Sequence, residues 1–127
     1  PALKVMTQLQ ELRLYNNGIG VDGARALALV LPKLTHLNGL RIANNHIEDE
    51  GVRTLAPSLR MMTQLKGLSI GQNSILAEGV RILAPIVEAM TQLKELHLSS
   101  TDSGARGAEI VLLKVALERR GGQCSFW

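Results

Sequence analysis

The chain has 127 residues, enough for one ordinary domain, with 46% apolar but only 2% aromatic residues, so any core must be aliphatic. A net charge of +3 permits an acidic partner but lacks the dense basic stripe with aromatic stacking that a nucleic-acid reader needs. Neither a signal peptide nor a membrane-length apolar run is present, and the single Cys124 excludes an internal disulfide framework and predicts a reducing, cytoplasmic setting.

In chain order, Pro1 falls in register with Pro57 and Pro85, and Leu3 with Leu59. Segment 1–6 therefore reads as the end of a repeat's helix, and the chain as a fragment of a longer solenoid. From Thr7 the sequence copies itself. MTQL stands at Met6–Leu9, Met62–Leu65 and Met90–Leu93, and LTHL at Leu34–Leu37, so Thr7, Thr35, Thr63 and Thr91 step by 28 residues. This sets units at 7–34, 35–62, 63–90 and 91–118, within a single domain spanning 1–127.

The first unit opens with LQELRLYNNGI (Leu9–Ile19). Alternation at Leu12 and Leu14 predicts a short strand with one buried face. Asn17 follows where the chain leaves the strand, and a buried carboxamide there can bond backbone groups as no aliphatic residue can. Next comes GARALALVL (Gly23–Leu31), with Ala24, Leu27, Ala28 and Leu31 at i, i+3, i+4 and i+7, one face of a helix. The second unit repeats this with LNGLRIANNHI (Leu37–Ile47) and a helix face of Val52, Leu55, Ala56 and Leu59. The third has LKGLSIGQNSI (Leu65–Ile75) and Val80, Leu83, Ala84 and Val87. Asp22, Glu50 and Glu78 mark helix starts, where acids suit the dipole. Pro57 and Pro85 fall mid-helix and predict either a kink or a looser turn before each proline.

The fourth unit degenerates. LKELHLSSTDS (Leu93–Ser103) puts Thr101 in the Asn column and Ser103 in the Ile column, and its predicted helix face is Ala108, Val111, Leu112 and Val115. Continuing the columns brings Cys124 under Leu96 and Phe126 under Leu98. Segment 119–127 is then a C-terminal cap, with QCSFW (Gln123–Trp127) a fifth strand that turns Cys124 and Phe126 inward.

A lone strand–turn–helix unit cannot bury its own apolar faces, but stacked units can. Strands pack about 4.8 Å apart, and the bulkier helices form the outer layer. The stack must therefore curve with its parallel sheet on the concave side and its helices on the convex side: an α/β solenoid. L-x-x-L-x-L-x-x-N-x-I, in three clean copies and one degenerate one, resembles the leucine-rich repeat family. The 28-residue period with a full helix is similar to the ribonuclease-inhibitor-like subclass, which includes ribonuclease inhibitor, Ran GTPase-activating protein and the repeat regions of NLR-type receptors. The resemblance implies an α/β horseshoe and intracellular protein binding.

No chemistry of catalysis or metal binding emerges. His36, His46 and His97 occupy different columns without ligand spacing, and Cys124 has no histidine near it in sequence. The glycine column Gly23, Gly51, Gly79, Gly107 is not followed by the Lys-Ser/Thr of a phosphate loop and reads as close packing or turn geometry. Asn17, Asn45 and Asn73 read as a structural ladder, which leaves Asn16 and Asn44 for partners.

Function, on this reading, lies on the outward strand positions. Their columns are Glu11, Gly39, Gly67, Glu95; then Arg13, Arg41, Ser69, His97; then Tyr15, Ala43, Gly71, Ser99. Arg and Tyr are enriched at interface hot spots. The chain is therefore expected to be a non-catalytic, cofactor-free protein–protein interaction module. It would bind a protein partner through Arg13, Tyr15, Arg41, Asn16, Asn44, His97, Lys66 and Lys94, without nucleic acid or membrane. The resemblance adds two other readings: a GTPase-activating regulator similar to Ran GTPase-activating protein, or the sensing repeats of an NLR-type receptor or a pathogen effector. Weak self-association through the open N-terminal end is a further expectation.

Overall fold

The computed structural model describes residues 8–98, 115, 117–119 and 121–126. Strands and helices alternate: β1 (Glu11–Arg13), α1 (Gly20–Val30) with a 3-10 turn at Leu31–Lys33, β2 (Gly39–Arg41), α2 (Glu48–Met61), β3 (Gly67–Ser69), α3 (Ala77–Ala89), β4 (Glu95–Leu98) and β5 (Gln123–Phe126). The strands form one parallel sheet in the order β1-β2-β3-β4-β5. Its register follows the sequence columns: Leu12 opposite Leu40, Leu40 opposite Leu68, Leu68 opposite Leu96 and Leu96 opposite Cys124. Helices α1, α2 and α3 stack beside one another as the second layer. Helices about 10 Å across stacked against strands about 4.8 Å apart bend the stack toward the sheet.

The core is a single aliphatic seam. Leu40, Ile42, Leu68, Ile70 and Leu96 point into it from the strands, and Val52, Leu55, Leu59, Leu83 and Val87 meet them from the helices. Leu34, Met62 and Met90, each in or beside the repeated tetrapeptide, are buried where the helices end. This explains the repetition: each copy closes one helix and starts the next strand. The column next reaches Glu118, which is exposed, and Leu117 is fully buried one residue earlier. With that shift Val115, expected to face inward, is 38% exposed.

The Asn ladder binds unit to unit. Asn73 Oδ1 accepts from the Asn45 amide at 2.7 Å and the Ile47 amide at 3.3 Å, while its Nδ2 donates to the carbonyls of Ile42, Ile70 and Gly71 at 2.9, 2.9 and 3.1 Å. Asn45 does the same one unit earlier, accepting from the Asn17 and Ile19 amides and donating to the Leu14, Ile42 and Ala43 carbonyls. Both side chains are fully buried. Asn17 differs: it is exposed, and its Nδ2 donates to the Tyr15 carbonyl of its own turn at 2.8 Å.

This ladder needs an unusual turn. Asn16, Asn44 and Gln72 have φ of 56°, 57° and 55°, and Gly18, His46 and Ser74 repeat the left-handed conformation two residues later. Alternating left-handed residues aim successive amides at the next unit, where Asn45 and Asn73 receive them. Glycine takes this conformation without penalty in the first unit, whereas His46 and Glu48 (φ 62°) hold it in the second.

The glycine column is set by packing. A Cβ on Gly23, Gly51 or Gly79 would run into the Cγ2 methyl of Ile19, Ile47 or Ile75, one turn earlier. Asp22, Glu50 and Glu78 do stand in first helical turns. The proline question also resolves: α2 and α3 run on through Pro57 and Pro85. Both prolines are exposed, as are Arg53 and Arg81 four residues back, so each carbonyl that loses its amide partner belongs to the exposed side of its helix. Thr101, Ser103, Gly107 and Trp127 lie outside the described residues, as do the side chains of Cys124 and Phe126.

Candidate interaction surface

The outward positions of β1 to β4 form one open face. Parallel register places Arg13 beside Arg41, as their shared column requires. Glu11 organises the pair. Its Oε1 lies 2.7 Å from Arg41 Nε and 3.1 Å from Arg13 Nε. Arg41 then reaches across β3, and its Nη2 stands 3.8 Å from Glu95 Oε2. The same Glu95 oxygen lies 3.8 Å from His97 Nε2. A chain of charges thus crosses four strands, from Arg13 through Glu11 and Arg41 to Glu95, with the His97 imidazole beside the last carboxylate.

Gly39 and Gly67 lie beneath it. A Cβ on Gly39 would come 3.2 Å from Glu11 Cγ, close enough that the Glu11 side chain would have to shift by a few tenths of an ångström. A Cβ on Gly67 would meet Arg41 Nη2 and Glu95 Oε2 at 3.7 and 3.8 Å, an ordinary contact. The small residues in mid-sheet are therefore the floor of an ion cluster and not only a concession to curvature. A cleft of about 420 Å³ opens above them, with Lys66 and Lys94 at the edge where the strands begin.

The remaining expected residues divide between the two edges. Lys66 and Lys94 are both exposed, and their backbones are stacked by the bond from the Lys94 amide to the Lys66 carbonyl at 2.8 Å. Tyr15, 43% exposed, stands at the opposite edge with Asn16 and Asn44, which bond to each other, Asn44 Nδ2 donating to Asn16 Oδ1 at 2.5 Å. His97 is half-buried on β4. The two arginines are thus brought together, and the lysine edge and the Tyr15–Asn16–Asn44 edge are held apart across the strands. The sequence columns placed Glu11, Gly39, Gly67 and Glu95 on this face, but the expected binding residues did not include them. The available signal was their shared column, acid–Gly–Gly–acid, lying two residues before the arginine column.

The guanidiniums of Arg13 and Arg41 hold the Glu11 carboxyl below the usual carboxylate range, and Glu11 in turn raises Arg41. A lowered folded-state value means the cluster's contribution to stability is complete above the ordinary carboxylate range and is lost as pH falls through the lowered value. The expected result in a carboxyl-carbon NMR titration is a Glu11 midpoint below the ordinary glutamate value that climbs back toward it in Arg13→Met/Arg41→Met. A midpoint that ignores both substitutions would break the cluster. Because the groups are exposed, salt should weaken the effect.

Among the described residues, no group of three His, Cys, Asp or Glu side chains is placed to hold a metal ion, and no helix is long and apolar enough to cross a membrane.

A sequence model of the family described as Leucine Rich repeat matches residues 5–28 and 33–56. Among solved structures, the fold is similar to Leiomodin-1 Actin-Binding Site 2, with a TM-score of 0.80 and 15% identity over 98% of this chain and 76% of that one. It is also similar to the tropomodulin C-terminal domain of Caenorhabditis elegans, with a TM-score of 0.78 and 16% identity over 98% of this chain and 78% of that one. No curated protein matches the sequence.

Proposed function

We propose that this chain is a leucine-rich repeat protein of the ribonuclease-inhibitor-like type, a reading supported by the partial family match and the similar folds, and that it is a non-catalytic protein–protein interaction module that works in the cytoplasm. It engages its partner with the concave sheet face. The observation that carries this reading is the exposed charge chain Arg13–Glu11–Arg41–Glu95, laid across the strands on a glycine floor. Partly exposed ion pairs add little to a fold, whereas a fixed arginine pair with Tyr15 beside it is the composition of an interface hot spot. Around that centre, Lys66 and Lys94 supply one rim and Asn16 and Asn44 the other, with His97 on the far strand.

Actin is the first partner to test, since one structure of similar fold is an actin-binding site. The chain is immobilised and offered purified actin and then cytosolic extract, and the captured complex is cross-linked through lysines. Cross-links at Lys66 and Lys94, on the sheet edge, are the expected result. Cross-links confined to Lys33, at the end of the first helical segment, would move recognition to the other layer and end the concave-face reading.

A further inference from the structure

The chemistry of the partner can be taken one step further, on the premise that the concave face is where it binds. Among the described residues of that face, the four cations Arg13, Arg41, Lys66 and Lys94 outnumber the two carboxylates Glu11 and Glu95. The balance is not spread evenly. Glu11 is engaged by both arginines, at 3.1 and 2.7 Å. Lys66 and Lys94 line the cleft from adjacent units, one strand apart, with their side chains exposed.

Arg41 adds a second feature to the cleft. Its Nε is committed to Glu11 at 2.7 Å, but its Nη2 stands 3.8 Å from Glu95, beyond hydrogen-bond length. That edge of the guanidinium borders the cleft and retains the geometry for a closer carboxylate. A carboxylate entering there would meet Arg41 below and the lysines at the rim. The cleft lies over β2 and β3 with the β1 and β4 side chains as its walls, three strand spacings or about 14 Å apart, wide enough for one peptide segment or one helix.

We propose that the cleft above Gly39 and Gly67 binds an acidic segment of a protein partner, with one carboxylate on Arg41 Nη2 and its neighbours on Lys66 and Lys94. In this arrangement Glu95, 3.8 Å from Arg41 Nη2, competes with the incoming carboxylate for the same cation, so it acts against binding.

The test uses a fluorescein-labelled oligoglutamate peptide, with oligolysine of equal length as its counterpart. Binding is followed by anisotropy, and its location by the amide shifts of Gly39 and Gly67. Oligoglutamate should bind, shift both glycines and weaken at least about tenfold in Lys66→Glu/Lys94→Glu, whose altered side chains are exposed and leave the core untouched. Glu95→Gln should tighten it several-fold, which a merely structural role for Glu95 would not do. Loss of oligoglutamate binding altogether, indifference to Lys66→Glu/Lys94→Glu, or weakening by Glu95→Gln would each overturn the proposal. Oligolysine bound in preference, with the same glycines shifted, would overturn the acidic partner and leave the concave face standing. A natural partner that cross-links only to the helix layer would remove the face itself.

Discussion

Asn73→Ala should cost about 3–4 kcal/mol of stability and lower the melting temperature by about 11–15 °C. Alanine removes the acceptor for the Asn45 amide at 2.7 Å and the Ile47 amide at 3.3 Å, and the donor to three carbonyls. All this happens at a fully buried position. An N–H stranded away from water costs its full desolvation, about 1–3 kcal/mol each. Some of the carbonyls keep a second partner: Ile42 also receives Asn45 Nδ2 at 3.0 Å, and Gly71 receives the Asn44 amide at 3.0 Å. The two amides therefore dominate the loss. Asn17→Ala is the matched control, because Asn17 is exposed and its side-chain amide bonds only within its own turn. It should cost well under about 1 kcal/mol. Hydrogen exchange locates the damage: the Asn45 and Ile47 amides should lose protection in Asn73→Ala before amides deep in α1. Equal melting losses in the two variants would show that the repeated Asn is not what ties unit to unit.

That contrast also shows what a repeated sequence can and cannot reveal. The strand register was legible because residues 28 apart must become neighbours once units stack, so Leu12, Leu40, Leu68 and Leu96 lie side by side. The Asn ladder was legible for the same reason at Asn45 and Asn73, whereas Asn17, read as its third member, is exposed and bonds within its own turn. The continuity of α2 and α3 through Pro57 and Pro85 was not, because an apolar period does not say whether the carbonyl a proline leaves bare faces water or core. In the fourth unit only the end of the predicted helix face can be compared: Leu117 is buried where the column reaches Glu118, and Val115 is exposed, while Ala108, Val111 and Leu112 lie outside the described residues. The charge cluster escaped for a geometric reason. Its key bond, Arg41 to Glu11, runs diagonally between columns, at a separation of 30 residues. Reading columns straight across shows Arg13 beside Arg41 but hides the carboxylate that locks them.

The same diagonal bond decides how the proposed recognition surface should be tested. Reversing Arg13 and Arg41 to glutamate would crowd new carboxylates against Glu11 and Glu95, and any loss of binding would be confounded with local repulsion. Arg13→Met/Arg41→Met removes the charges and keeps most of the aliphatic stems. Arg13 is well exposed and Arg41 partly so, with side-chain exposures of 63% and 24%. Neither belongs to the aliphatic core, so the melting temperature should move by no more than about 3 °C. Binding is another matter. Arginines at the centre of an interface contribute at hot-spot level, about 2 kcal/mol or more for the pair, which corresponds to roughly 30-fold in affinity. The expected result in a titration with the captured partner is thus a rise in Kd of 30-fold or more with a nearly unchanged melt. Glu11→Gln should follow at a smaller distance, since it frees both guanidiniums from the orientation in which they are held. If the methionine double variant binds as tightly as the parent chain, the arginines are solvated charges, and recognition does not run through the centre of the sheet.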